Sequence, residues 1–145
     1  MKLKNNFVKS YVKSSKKIIF YILILFSSYC AFIIGFSWDE GYLNNQGKVT
    51  ANYLLSLGLS DPEYFFRREF YSPIYSSLKY LIVQAFPLKF HIEAGHLVNL
   101  FFSVTAIIGL KKICEEFFNK DVGIIVFLVL FFFPAFFGHM GFNSK

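Results

Sequence analysis

Charged residues and cysteine are both scarce in this chain of 145 residues. Charged side chains make up 17% of it, whereas a soluble domain usually carries about 25%. Hydrophobic residues reach 55% and are grouped in uncharged blocks. This composition excludes an intrinsically disordered chain, and the two cysteines exclude a disulfide-rich scaffold. Uncharged apolar blocks without a half-buried periodic pattern instead predict an all-α integral membrane protein.

The sequence motifs of several enzyme classes are also missing. There is no Walker A motif, no GxGxxG, no HExxH and no GxSxG, which weighs against nucleotide-driven, zinc-dependent and serine-hydrolase chemistry. His91 and His96 are five positions apart, so they do not share one face of a helix, and His139 is isolated. We therefore expect no metal site with protein ligands and no cofactor bound by this chain.

The positive charge is concentrated at the N-terminus. Six of the fifteen basic residues precede residue 38, and no acidic residue does. The remaining nine basic residues equal the nine acidic ones. Lysine held on one side of an apolar segment marks the cytoplasmic side of a membrane protein. The distribution thus predicts a cytoplasmic N-terminus and no nucleic-acid partner.

Three apolar segments have the length of membrane spans, at about 18–36, 94–110 and 122–137. A cleaved signal peptide is the rival interpretation of the first segment, but the apolar run is long for one and lacks an A-x-A-like site. Lys111 and Lys112 close the second segment, as expected of a helix returning to the cytoplasm. A loop through Asp121 would join it to the third.

The segment 37–93 is predicted to be an outer loop with helices of its own. A first helix is expected from Gly41 to Leu57. Ser72 and Pro73 resemble the N-cap and first position of a second helix. Apolar residues then recur at helical spacing, with polar residues between them. Two interpretations stay open: an amphipathic helix lying on the membrane, or a helix packed on the spans.

Two adjacent carboxylates, Asp39 and Glu40, follow the first span directly. The carbonyl groups at the end of a helix disfavour negative charge, so this placement favours a functional role. The alternative is that Asp39 is the N-cap of the next helix. Arg67 and Arg68 form a second candidate site, because two guanidinium groups can hold a phosphate. The alternative for them is a solvated pair, or one neutralised by neighbouring glutamates.

Three stretches resemble the beginning of the GT-C membrane glycosyltransferases, in the branch of the protein O-mannosyltransferases and aminoarabinose transferases (glycosyltransferase family 39). They are WDEGY at 38–42, FYSPIYSSLKYL at 70–81, and the stretch from 96 that ends FFPAFFGHMGFNSK. The last is similar to a P…GH…FNPKD stretch of bacterial members. The family has many more than three spans, so the resemblance implies that residues 1–145 are the N-terminal part of a GT-C transmembrane domain, with further spans missing.

The resemblance implies a reaction as well as a fold. Such enzymes of the inner membrane transfer a sugar from a polyprenyl-phosphate carrier to an acceptor on the outer face, by a single inverting displacement. Asp39 would be the general base, and Glu40 would be a second catalytic residue that tunes or positions that base or helps the acceptor. Arg67 or Arg68 would stabilise the phosphate leaving group. The donor would be the lipid-linked sugar, and membrane lipid the surroundings. Two alternatives stay open: a small three-span membrane protein with a structural or partner-binding role, and a transporter fragment. The absence of charged residues inside the predicted spans counts against transport.

Overall fold

The computed structural model describes residues 2–60 and 72–142, and every regular element in these ranges is helical. The six α-helices are α1 (Lys2–Ile33), α2 (Trp38–Leu55), α3 (Pro73–Val83), α4 (His91–Phe117), α5 (Lys120–Phe132) and α6 (Pro134–Phe142). A short 3₁₀ turn, Leu88–Phe90, precedes α4. The predicted all-α class is confirmed.

The long helices form an up-down-up bundle. Ring contacts join Phe20 to Phe127 and Phe26 to Phe137, with centroids 5.8 Å and 6.2 Å apart. Together with the contact of Gly141 on Ala31, they show that α5 and α6 follow the direction of α1. Helix α4 runs between them in the opposite sense. Its buried residue Ile107 joins the aromatic core of the bundle.

Several predicted boundaries are corrected by the structure. Helix α1 ends at Ile33, before the predicted end at Phe36. Helix α4 extends beyond the predicted 94–110 at both ends. The predicted loop to Asp121 shrinks to Phe118 and Asn119. Lys111 lies inside α4, where it pairs with Glu115 (2.8 Å), and Asn119 caps α5 by accepting bonds from two backbone N–H groups.

The third apolar segment is broken at Phe133. Helix α5 ends there, and α6 begins at Pro134 with its axis bent by 68°. A proline has no N–H to donate and disfavours a helical residue before it. The segment predicted as one helix over 122–137 is therefore two helices, and its helical structure extends to Phe142.

Helix α3 is inverted relative to a helix of a soluble protein. Its apolar residues Ile74, Leu78 and Leu81 are exposed, Ile74 to 78%. Its buried face carries Ser76, Ser77, Lys79 and Val83, and packs on α2 and α4. Ser72 and Pro73 do occupy the predicted N-cap and first helical position, although the Ser72 side chain makes no capping bond.

Apolar side chains dominate the surface of the long helices as well. In the described ranges, one helical stretch, Leu88–Phe117, is long and apolar enough to cross a membrane. The bent pair α5–α6 passes the same test when taken as one span, and Lys17–Ile33 forms a shorter apolar stretch. Large exposed apolar areas are typical of surfaces that contact lipid or another protein.

A buried carboxylate–imidazole pair as candidate functional site

The candidate site is centred on an interaction between α2 and α4. Oε1 of Glu40 lies 2.6 Å from Nε2 of His96. The other ring nitrogen, Nδ1, lies 2.9 Å from the carbonyl oxygen of Ala31 near the end of α1. His96 is 0% exposed and Glu40 is 3% exposed. One imidazole therefore joins three helices at a place closed to solvent.

The hydrogen bonds fix the number of protons in this pair. The Ala31 carbonyl can only accept, so Nδ1 of His96 carries a proton and donates it. A second proton must lie between Nε2 of His96 and Oε1 of Glu40, because two acceptors cannot bond each other. The pair is then an imidazolium with a carboxylate, or a neutral imidazole with a carboxylic acid. Either form carries no net charge, which reduces the cost of its burial.

The local sequence explains why Glu40 points into the bundle. Ser37 is the N-cap of α2, and its backbone N–H donates to Oε2 of Glu40 at 2.7 Å. A glutamate three positions after an N-cap serine commonly makes this bond. Glu40 thus fixes the start of α2 through one oxygen and binds His96 through the other.

Asp39 has a different environment from its neighbour. It is the second residue of α2, and it is half-buried where Glu40 is buried. The first turn of a helix favours negative charge. The proposed N-cap role of Asp39 is wrong, because Ser37 occupies that position. Successive helical residues are about 100° apart, so the two carboxylates leave the helix in different directions.

Lys79 brings a third titratable group into the buried region. It is 4% exposed, and a Cβ built on Gly95 would lie 3.9 Å from its Nζ. Burial lowers the pKa of Lys79, and the nearby negative charge of Glu40 opposes that shift. A buried ammonium needs such a partner, and Glu40 provides it for Lys79.

A second polar contact extends the site along α4. The hydroxyl of Tyr75 donates to Oδ1 of Asn99, and the Tyr75 ring packs edge-on against Phe102. Burial raises the pKa of Tyr75 to about 12, so the phenol keeps its proton and remains a donor at neutral pH. His96 and Asn99 therefore bind α2 and α3, respectively, to the same side of α4.

The second predicted site, formed by Arg67 and Arg68, lies outside the described residues. Within residues 2–60 and 72–142, no group of three His, Cys, Asp or Glu side chains is placed to hold a metal ion.

Sequence analysis did not identify His96 and Lys79 as members of the site, nor Tyr75 and Asn99, which extend it along α4. A signal for His96 was present, because His96, Asn99 and Ser103 recur at i, i+3 and i+7 in the uncharged segment 94–110. Such spacing places polar groups on one helical stripe. An ionisable residue within an apolar span is by itself a reason to expect a functional site. Lys79 gave no comparable signal, since one lysine on an amphipathic helix is ordinarily solvated.

Comparison of the chain with protein-family models, with curated proteins and with solved structures finds no significant match.

Proposed function

We propose that this chain is part of a membrane glycosyltransferase that moves a sugar from a polyprenyl-phosphate carrier to an acceptor on the outer face of a bacterial inner membrane. Asp39 is the general base that takes the proton of the acceptor hydroxyl as that oxygen attacks the anomeric carbon. The displacement inverts the anomeric centre, and the bond to the carrier phosphate breaks in the same step.

The observation that carries the proposal is the contrast between two adjacent carboxylates. Glu40 is buried and bound to His96, whereas Asp39 is half-buried at the start of the same helix. Neighbouring acids in different environments commonly have different roles in an active site. Here Glu40 would position α2, and Asp39 would face the substrate. The two bonds of His96, to the Ala31 carbonyl and to Glu40, support this assignment, because they fix the beginning of α2, where Asp39 lies.

The chemistry suits a carboxylate base. A sugar phosphate already has a good leaving group, so the reaction needs a proton acceptor for the hydroxyl and positive charge near the departing phosphate. Arg67 and Arg68 remain our proposal for that positive charge.

The first test is the substitution Asp39→Asn in the protein expressed from its native gene. We expect transfer to fall by about 10²–10⁴-fold, as is typical for the loss of a positioned general base. Membranes containing the protein would be supplied with radiolabelled polyprenyl-phosphate mannose and, separately, polyprenyl-phosphate aminoarabinose. The measurement is the label that leaves the carrier lipid.

The control is Asp121→Asn. Asp121 is the second residue of α5, as Asp39 is of α2, and it is exposed. Both substitutions remove one negative charge from the first turn of a helix, so their effects on helix stability should be similar. Transfer that falls only in Asp39→Asn, at equal membrane abundance, supports the proposal. Undiminished transfer in Asp39→Asn removes Asp39 from the mechanism.

The alternative is a structural or partner-binding membrane protein. The complete burial of His96 favours it, because a closed pair can stabilise a bundle without any substrate. This alternative predicts no release of label from either carrier lipid in any variant, including the unaltered protein.

We further propose three membrane crossings with the N-terminus in the cytoplasm and the α2–α3 region outside. The up-down-up arrangement of the bundle and the N-terminal lysines support this topology.

Cysteine labelling tests this topology in a background without Cys30 and Cys114, both free thiols. Leu59→Cys, an exposed site, should react with a membrane-impermeant maleimide on intact cells. Glu116→Cys, also exposed, should react only after permeabilisation. Labelling in the reverse order would contradict the topology.

A further inference from the structure

A cleft of about 250 Å³ opens between α2, α3 and the beginning of α4. Among the described residues that line it none is acidic, and its polar groups are one lysine, one histidine, three amides and one phenol. These are Lys48, His91, Asn44, Asn45, Gln84 and Tyr80. A cleft with basic groups and hydrogen-bond donors, and without a lining carboxylate, favours an anionic ligand.

One of the two ring nitrogens of His91 already has a hydrogen-bond partner within the protein. Its Nε2 lies 3.0 Å from the carbonyl oxygen of Phe86, so Nε2 carries a proton and donates it. Nδ1 is then the ring atom that can meet a ligand, as an acceptor in the neutral ring and as a donor in the charged one. His91 also begins α4, and its backbone N–H donates to the carbonyl oxygen of Leu88 in the preceding 3₁₀ turn.

The surroundings of the cleft are apolar and exposed. Ile92 lines the cleft, and the segment leading to His91 carries three more exposed apolar side chains, Phe86, Leu88 and Phe90, with Leu88 86% exposed. The ammonium of Lys89 lies 4.7 Å from the centre of the Phe90 ring. Aromatic and lysine side chains together are typical of the headgroup level of a membrane. The cleft thus combines a site suited to an anion with a neighbouring segment suited to lipid.

We propose that this cleft binds a phosphate group, carried by an anionic lipid headgroup or by a small soluble phosphate ester. Lys48 supplies the charge, and the amide N–H groups of Asn44 and Gln84 supply hydrogen bonds to the phosphate oxygens. The site is separate from Asp39, because Asn44 and Lys48 lie about 140° and 180° around α2 from it. The proposal therefore does not depend on glycosyltransferase activity.

The test measures binding of fluorescently labelled phosphatidic acid to the full chain in non-ionic detergent micelles, by anisotropy. A charge-assisted bond to phosphate is lost in Lys48→Gln, so we expect affinity to fall about tenfold or more. Lys48→Arg keeps the charge and should retain binding. The matched control is Lys112→Gln, an exposed lysine at the far end of α4, which should bind as the unaltered chain does.

Competition then distinguishes the source of the phosphate. Displacement of the probe by phosphatidic acid alone assigns the cleft to a lipid headgroup. Displacement by glycerol 3-phosphate or inorganic phosphate as well assigns it to soluble phosphates. Three results would overturn the proposal: a loss below threefold in Lys48→Gln, an equal loss in Lys112→Gln, or displacement by diacylglycerol, which has no phosphate, as effective as that by phosphatidic acid.

Discussion

Replacing Glu40 by alanine should lower the free energy of unfolding by about 3–5 kcal/mol, the usual cost of removing one member of a buried charged pair. The substitution leaves His96 without its partner and Lys79 without the negative charge that offsets its burial. It also removes the acceptor for the Ser37 backbone N–H. Unfolding by sodium dodecyl sulfate in mixed micelles, followed by circular dichroism, gives the difference directly.

The design includes His96→Ala and the double substitution. If the two side chains stabilise each other, the double variant loses less than the sum of the single losses. Glu116→Ala is the control, because it removes an exposed glutamate from α4 and should change stability by less than about 0.5 kcal/mol. Additive effects of Glu40→Ala and His96→Ala would show that the pair contributes no mutual stabilisation.

Gly47→Ala should separate α2 from α3. A Cβ built on Gly47 would lie 2.3 Å from the carbonyl oxygen of Ser76 and 3.1 Å from Cβ of Tyr80. The carbonyl belongs to a helix backbone and cannot turn away, so one helix must move. Overpacking of this kind typically costs about 1–3 kcal/mol, and more when the backbone is involved. We expect lower stability in the same unfolding experiment.

Gly109→Ala provides the matched control for that experiment. Gly109 also lies inside a helix, and in the described part of the chain nothing comes within 4 Å of a Cβ built on it. Alanine there should raise stability by up to about 1 kcal/mol through its better helix propensity. If Gly47→Ala were as stable as Gly109→Ala, the close approach of α2 and α3 would not exist in solution.

Sequence alone predicted those parts of the fold that depend on neighbouring residues. Ser72 and Pro73 mark the start of α3 because capping is decided within one turn. The uncharged apolar blocks likewise indicate where the long helices lie, because each block is a continuous stretch of neighbouring residues. The break at Pro134 shows the limit of this reasoning, since hydropathy is unchanged across a bend that one proline imposes.

The candidate site was only half predictable. Asp39 and Glu40 were identified from their position after the first span, but the pairing of Glu40 with His96 joins residues 56 positions apart. No periodicity reports such a contact. The orientation of α3 was equally undetermined, because a helical pattern shows two faces without showing which one meets the rest of the protein. Its exposed apolar face is what a lipid surrounding would favour.

The bond between His96 and the Ala31 carbonyl also determines where the charged ends of α1 and α4 lie. It joins a residue near the C-terminal end of α1 to one near the N-terminal end of α4. Lys17 is fourteen residues from Ala31, and Lys111 is fifteen residues from His96, so both lysines lie about 21–23 Å from that bond at ~1.5 Å per residue. Because the two helices are antiparallel, both lysines lie at the same end of the bundle and at nearly the same level. In the membrane topology proposed above, they would reach the same surface of the bilayer together.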